Sequence, residues 1–481
     1  MTYYNNAIFT KRELLVRILK LLKKDSLLEE IDRIPLEMRP RTKAPIRCCV
    51  HKDRAVIKYK IMALLGYNIS DEEDELTPLR EYAAEALLQE KITGNFLTVV
   101  DEACSSCVKV NYTVSNLCQG CEGRSCQVNC PKDAIQIING KAFIDHQKCV
   151  NCGLCQKACP FHAIAYLPVP CEESCPVNAI SKNEYGVEEI DFDKCIHCGK
   201  CMNSCPFGAI NEKSQILHIY KQIQTKTPTI ALVAPAVLGQ FKAEAGKILN
   251  AISKLGFADV IEVAQGADIT TQHETAEWKE KMEAGETFMT TSCCPAYTEL
   301  TQKHIKGLIP HVSHTPSPMV FTADVAREKY PNAKLVFIGP CLAKRKEAFL
   351  NKSVDYVMTA EELGAFFAVE GIDVTQNEAL ASSAAITPEG RGFAASGGVT
   401  AAIESILPEG TNFKAFMVNG LSKKTIKLLK TFPIRPPKAN FVEVMACEGG
   451  CISGPGIIAP SQMGQANLRK AIDELKEKAI V

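Results

Sequence analysis

The sequence predicts an α/β domain over its C-terminal half, preceded by a duplicated, cysteine-rich α+β region and a helical N-terminal region. Three observations carry this. Residues 1 to about 100 place apolar side chains at helical spacing and hold two cysteines; residues 104–205 hold sixteen in a repeated pattern; residues 225–481 alternate short apolar runs with amphipathic stretches and hold five. A chain of 481 residues is long enough for about three domains.

In residues 1–100, Arg12 to Lys24 reads as a helix with Leu14, Leu15, Ile18, Leu21 and Leu22 on one stripe, and Leu79 to Gln89 as another. Pro35, Pro40 and Pro45 interrupt the region. Cys48 and Cys49 are adjacent, so their side chains diverge on a helix or strand; small buried residues are expected there rather than ligands. In residues 225–481, Thr229 to Ala234 and Lys334 to Ile338 read as short buried strands, and Phe241 to Leu255 and Ala401 to Ile406 as helices.

The 55 basic and 55 acidic side chains balance, which gives no support to nucleic acid or a membrane surface as partner. No run approaches the roughly 18 apolar residues of a membrane span, and no leader of charged then apolar residues is visible. The expected setting is a reducing cytoplasm, where the 23 cysteines ligate metal rather than pair as disulfides.

Spacing sharpens that expectation. Cys149, Cys152, Cys155 and Cys159-Pro160 form C-x2-C-x2-C-x3-C-P, and Cys195, Cys198, Cys201 and Cys205-Pro206 repeat it 46 residues later. This is the pattern of bacterial 4Fe–4S ferredoxins: three close thiolates wrap one cubane, and the fourth reaches the other cluster of a pair. Cys118, Cys121, Cys126 and Cys130-Pro131 make a related motif. Cys171 and Cys175-Pro176 make only its last half, because Ala163 and Tyr166 stand where a second unit would repeat Cys118 and Cys121. Cys104 and Cys107 are then the unassigned C-x2-C pair.

Crossing the fourth cysteines uses all sixteen. One cubane takes Cys118, Cys121, Cys126 and Cys159; the next Cys149, Cys152, Cys155 and Cys130; a third Cys195, Cys198, Cys201 and Cys175; a fourth Cys104, Cys107, Cys171 and Cys205. The alternative for the last is a bare Cys104/Cys107 pair with one cluster lost. A row of cubanes beside an enzyme-like domain reads as an electron wire.

The remaining five cysteines lie in Thr290-Thr291-Ser292-Cys293-Cys294-Pro295, Gly339-Pro340-Cys341-Leu342-Ala343-Lys344-Arg345-Lys346-Glu347, and Glu443-Val444-Met445-Ala446-Cys447-Glu448-Gly449-Gly450-Cys451. Four thiolates from three loops can hold one more cluster. The surplus thiol is a candidate for proton transfer or nucleophilic chemistry. On residues alone, this is an electron-fed metalloenzyme.

These motifs resemble those of the iron-only (FeFe) hydrogenases: T-S-C-C-P, P-C-x-x-K-x-x-E and E-x-M-A-C-x-x-G-C, in that order behind ferredoxin-like domains. The resemblance spans roughly residues 104–456. It implies an FeFe-hydrogenase catalytic fold over 225–481, ferredoxin-like domains over 101–215 and a helical region over 1–100. It also implies the H-cluster: a 4Fe–4S cubane joined to a two-iron subsite with CO, cyanide and azadithiolate, alongside three to four additional 4Fe–4S clusters.

By this resemblance Cys294, Cys341, Cys447 and Cys451 hold the cubane, with Cys451 bridging to the two-iron subsite. Cys293 passes protons, Lys344 donates to a cyanide, and Met445 packs near the subsite. Ala234 and Pro235 belong to a loop whose backbone N–H meets cyanide. Glu274 and Glu277 fall on the family's relay positions, aligned on Gly266-Ala267-Asp268, and Ser313 on its serine. Carboxylates at i and i+3 share a helix face; read alone, such a pair is a solvated surface.

Tyr297, Gly339, Met319 and the run Gly454-Pro455-Gly456 depart from the best-studied members and are similar to the group B branch. The implied activity is ferredoxin-linked, reversible reduction of protons to H2, with fermentative H2 evolution as its role and assembly by dedicated maturation proteins. Two other readings remain: a low-activity H2-sensing protein, and a non-catalytic iron–sulfur electron-transfer or assembly protein.

Overall fold

The computed structural model describes residues 5–92, 94–104, 107–108, 110–380 and 385–480. Its first helix, Asn6–Lys23, starts where Asn5 accepts the Ile8 amide at 3.0 Å, and it buries Leu14, Leu15, Ile18, Leu19 and Leu21. The helix Leu79–Leu88 also forms as expected. Between them, Val50–Leu65 ends at Gly66 in the left-handed conformation, φ +102°.

Cys48 and Cys49 correct the expectation of small buried residues. Cys48 is exposed, and Cys49 caps Val50–Leu65, its sulfur accepting the Lys52 amide at 3.5 Å. A helix start needs an acceptor for its orphan amides, and that role keeps the pair at the surface.

The cysteine-rich region is built from short antiparallel pairs: Tyr112–Val114 with Ile164–Tyr166, Ile135–Ile138 with Lys141–Ile144, and Ile180–Lys182 with Glu188–Ile190. Leu97–Val99 returns to pair with Ile210–Glu212. One local conformation recurs four times after the Cys-Pro steps. Asp133, His162, Asn178 and Gly208 adopt φ of 47°, 51°, 52° and 59°. The next residue, always alanine, then donates its amide to the sulfur of Cys130, Cys159, Cys175 or Cys205 at 3.2–3.4 Å. Short polar residues and glycine tolerate this left-handed turn, which curls the backbone around each sulfur.

Beyond residue 228 the chain forms two parallel sheets. The first runs in the order Asp259–Glu262, Thr229–Val233, Lys334–Ile338, Tyr356–Met358. The second is Met289–Thr290, Phe441–Met445, Ala415–Asn419. Their interior strands are almost wholly buried and mostly apolar, as sheets covered by helices require, with part-buried Lys334 and buried Thr229 and Glu443 the exceptions. The helix expected from Phe241 begins at Ala245, because Glu244 is extended and starts it; that expected at Ala401 begins at Gly398.

The three regions meet at a buried ion network. Arg345, a buried side chain, donates to both Glu362 oxygens at 2.8 and 2.9 Å, to Glu212 at 3.2 Å and to the Lys213 carbonyl at 2.8 Å. Lys11, on the first helix, reaches Glu212 at 2.6 Å and Glu361 at 2.7 Å. Arg12 adds Glu361 at 2.8 Å and the Ile457 carbonyl at 3.1 Å. Removing one partner from such a network strands buried charge. The variant Arg345→Ala is expected to lose about 3–5 kcal/mol in denaturant unfolding; a loss within ~0.5 kcal/mol, as for an ordinary surface site, would show that the network is not structural.

Candidate active site

Four parallel strands deliver the site. Thr229–Val233 runs into Ala234-Pro235, Met289–Thr290 into Cys293-Cys294, Lys334–Ile338 into Pro340-Cys341, and Phe441–Met445 into Cys447. Parallel strands open their carboxyl ends on one side, the usual place for a ligand in such sheets.

Cys294, Cys341, Cys447 and Cys451 come within electrostatic reach of one another. Burial pushes all four thiols up, Cys341 to about 11 and Cys451 to about 12. Gly450 lets this loop close: a Cβ there would lie 2.5 Å from the Ala394 carbonyl oxygen. Beside the thiols is a cavity walled by Ala234, Pro235, Ala236, Met319, Phe337, Phe393 and Met445, with Cys293, Cys341, Cys451 and Lys344 as its polar groups. Lys344 is held by Ser317 Oγ at 2.8 Å and Glu347 Oε2 at 2.6 Å, and Ser317 donates to Glu347 Oε1 at 2.6 Å. The carboxylate keeps the buried lysine charged.

Backbone and second-layer details refine the expectations. The Ala234 amide is already bonded to the Ile338 carbonyl at 2.9 Å, so it does not face the cavity as the loop's donor; Pro235 has none, and Ala236 is the next residue with an N–H. Tyr297 is buried and donates to Thr290 Oγ1 at 2.7 Å. At Gly339 a Cβ would stand 2.8 Å from the Phe337 ring, so that ring occupies space a longer side chain would need.

Glu274 and Glu277 both lie on the helix Ala264–Glu283, in opposite environments. Glu274 is fully buried, and neither carboxylate oxygen has a partner of normal hydrogen-bond geometry among the described residues. Burial first, then the charge of Glu277, pushes it up to about 8. It lies within electrostatic reach of Cys293. Glu277 accepts from Ser313 Oγ at 2.6 Å, the His314 amide at 2.9 Å, Thr315 Oγ1 at 2.9 Å and Lys281 at 3.1 Å. Against the opposing effect of burial, these donors bring it down to about 2. His314, whose side chain is 79% exposed, meets Glu277 with Nδ1 at 3.1 Å. Motif reading missed His314, and its position next to Ser313 was the one available signal.

In the preceding region the cysteines come together in groups. Cys130 lines one hollow with Cys149, Cys152 and Cys155. Cys126 is near Cys121 and Cys159; Cys118 packs on the same apolar cluster. Cys175 is near Cys195, Cys198 and Cys201. Cys205 is near Cys104, Cys107 and Cys171. Cys171 is also near Cys201, and Cys198 near Cys447, so the groups form a series toward the cavity. Converging soft thiolates fit iron–sulfur clusters. Among the described residues no three His, Cys, Asp or Glu side chains converge closely enough to hold a single ion.

Residues 227–455 match the family model described as iron only hydrogenase large subunit, C-terminal domain. Over this region the chain carries the iron-only hydrogenase C-terminal domain. Residues 142–165 match a 4Fe–4S binding domain and 165–216 the LdpA Fe–S cluster-binding domain. Family relatives include iron hydrogenase 1 of Clostridium pasteurianum, 27% identical over 71% of this chain and 70% of that one. The periplasmic [Fe] hydrogenase large subunit of Nitratidesulfovibrio vulgaris is 29% identical over 65% of this chain and 85% of its own. The cytosolic Fe–S cluster assembly factor NAR1 of Kluyveromyces lactis is 24% identical over 43% and 59%. Among the described residues no helix is long and apolar enough to cross a membrane.

A carboxyl group raised from 4.5 to about 8 stays protonated at neutral pH. The folded state then binds a proton the unfolded state has released, so its stability falls as pH rises from about 4.5 toward 8. Difference infrared spectroscopy at pH 7 is expected to show a protonated-carboxyl band that disappears in Glu274→Gln, and that variant should lose this part of the pH dependence. Persistence of the band in the variant would assign it elsewhere.

Proposed function

We propose that this chain is a ferredoxin-linked hydrogenase that reversibly reduces protons to H2. Cys294, Cys341, Cys447 and Cys451 would hold the H-cluster cubane, and the cavity beside them would take the two-iron subsite. When bound, the cluster supplies the redox chemistry that joins protons and electrons. The chain's own residues supply position, charge and proton delivery.

The observation that carries this reading is the convergence of Cys293, Cys341, Cys451, Lys344 and Met445 on one apolar cavity, with Cys294 and Cys447 beside Cys341 and two carboxyls of graded acidity behind Cys293. Lys344, fixed by Glu347 and Ser317, presents a positive charge suited to an anionic ligand. Met445 and Phe393 exclude water. A proton taken from solvent at His314 would pass to Glu277, through Ser313 to Glu274, and on to Cys293. The contrast between a low and a high carboxyl lets the inner group hold the proton that the outer one releases.

Electrons would travel the other way around the cavity. Of the two outer groups only Cys155 is buried and Cys152 is exposed, whereas in the two inner groups Cys104, Cys171, Cys175, Cys195, Cys201 and Cys205 are buried and only Cys107 and Cys198 are half-buried. Electrons from reduced ferredoxin would therefore enter at the outer cubanes, pass through the buried pair and leave by way of Cys198 toward Cys447. The cytoplasm is the compartment this reading implies. Retention of Cys293, Lys344 and the relay favours turnover over a sensing or assembly role.

Protein matured with the family's assembly proteins is expected to evolve H2 from a reduced low-potential donor. The Cys293→Ser variant should keep its cluster absorption and lose activity at least about 100-fold, the range for a positioned proton-transfer group. Full activity in that variant would overturn the proton role, and no H2 from the parent protein would overturn the enzyme reading.

A further inference from the structure

A second cavity, of about 450 Å³, lies between the N-terminal helices and the turn after Cys205. Its wall carries Arg39, Arg47, Lys52 and Lys60 together with the apolar Ile57 and Phe207. Nothing in the hydrogenase reading uses it.

Lys60 is the informative residue. It is 4% exposed, faces this cavity, and has no hydrogen-bond or carboxylate partner among the described residues. A buried ammonium without an acceptor is unfavourable. The Gly208 turn packs directly over it: a Cβ on Gly208 would be 2.7 Å from the Lys60 ammonium and 2.8 Å from Ala7 Cβ.

The charges around Lys60 mostly repel it. Arg47, Arg39 and Lys11 act with burial to bring the ammonium down to about 8, and Cys205 alone among the main influences acts the other way. Lys11 is answered by Glu212 and Glu361, and Arg47 by buried Asp53 at 3.2 Å. Arg39 has no carboxylate among the described residues; it donates to the Met38 carbonyl at 2.9 Å, and its buried Nε has no acceptor. A cubane on Cys205 would attract Lys60, but it explains neither Arg39 nor the volume of the cavity.

We propose that this cavity binds a phosphate-bearing small molecule, its phosphate received by Lys60 and Arg39 and its body packed on Ile57 and Phe207. Several converging cationic donors match a multiply charged oxyanion. The cavity is far larger than one phosphate group, and its apolar wall suits a ligand with an attached ring. Such an anion would sit beside Cys205 and disfavour reduction of a cubane there; this consequence, unlike the binding itself, rests on the cluster reading.

The test is calorimetric titration of the full chain, clusters in place, with pyrophosphate, ADP and citrate. Saturable 1:1 binding of pyrophosphate or ADP is expected, weakened at least tenfold in Lys60→Gln and in Arg39→Gln. Lys60→Gln should fold at least as well as the parent, since it removes a buried unpaired charge. No saturable binding of either phosphate probe, or equal affinity in both variants, would overturn the site; binding of citrate alone would overturn its assignment to phosphate. These outcomes need no turnover, so they stand apart from failure of the hydrogenase reading.

Discussion

The arrangement of this protein depends on one buried guanidinium. Arg345 lies four residues after Cys341 and directly after Lys344, and its partners come from elsewhere: Glu212 from the last ferredoxin-like strand and Glu362 from the helix Ala360–Glu370. Lys11 ties the first helix to the shared Glu212 and to Glu361, the neighbour of Glu362. A charge so deeply buried is tolerated when every partner is in place, so the three regions are held in one relative position. That position sets the approach of Cys198 to Cys447, on which the proposed electron delivery would depend. A preorganised site requires such fixed support.

Around the cavity, electrons and protons would arrive from different sides. The thiol series approaches through Cys198 and Cys447, while the carboxyl series approaches through Glu274 and Cys293. The two carboxyls differ because of what surrounds them rather than what they are. Glu277 gathers amides, hydroxyls and a lysine; Glu274 has burial and a neighbouring negative charge. In the proposed relay the same residue type would serve as acceptor at one end and proton store at the other.

What was legible in the sequence was whatever covalent spacing controls. Cysteine intervals and the proline after each fourth cysteine specify a local turn, and the left-handed residue and alanine amide behind Cys130, Cys159, Cys175 and Cys205 show why that spacing recurs. Buried strands such as Lys334–Ile338 were legible because the four apolar residues Leu335 to Ile338 read as one covered segment. Interactions between distant segments were not. Arg345 with Glu212 spans 133 residues, and Lys60 meets Gly208 from another region altogether. The surface placement of Cys48 and Cys49 came from a helix-capping requirement that outweighs the tendency of cysteine to be buried.

The most direct measurement is infrared spectroscopy of the matured protein in the region of metal-bound CO and cyanide. Sharp bands are expected there, shifted when the protein is reduced, if the cavity beside Cys451 and Lys344 takes the proposed two-iron subsite. A matured protein with its cubanes intact but without those bands would contradict the proposal.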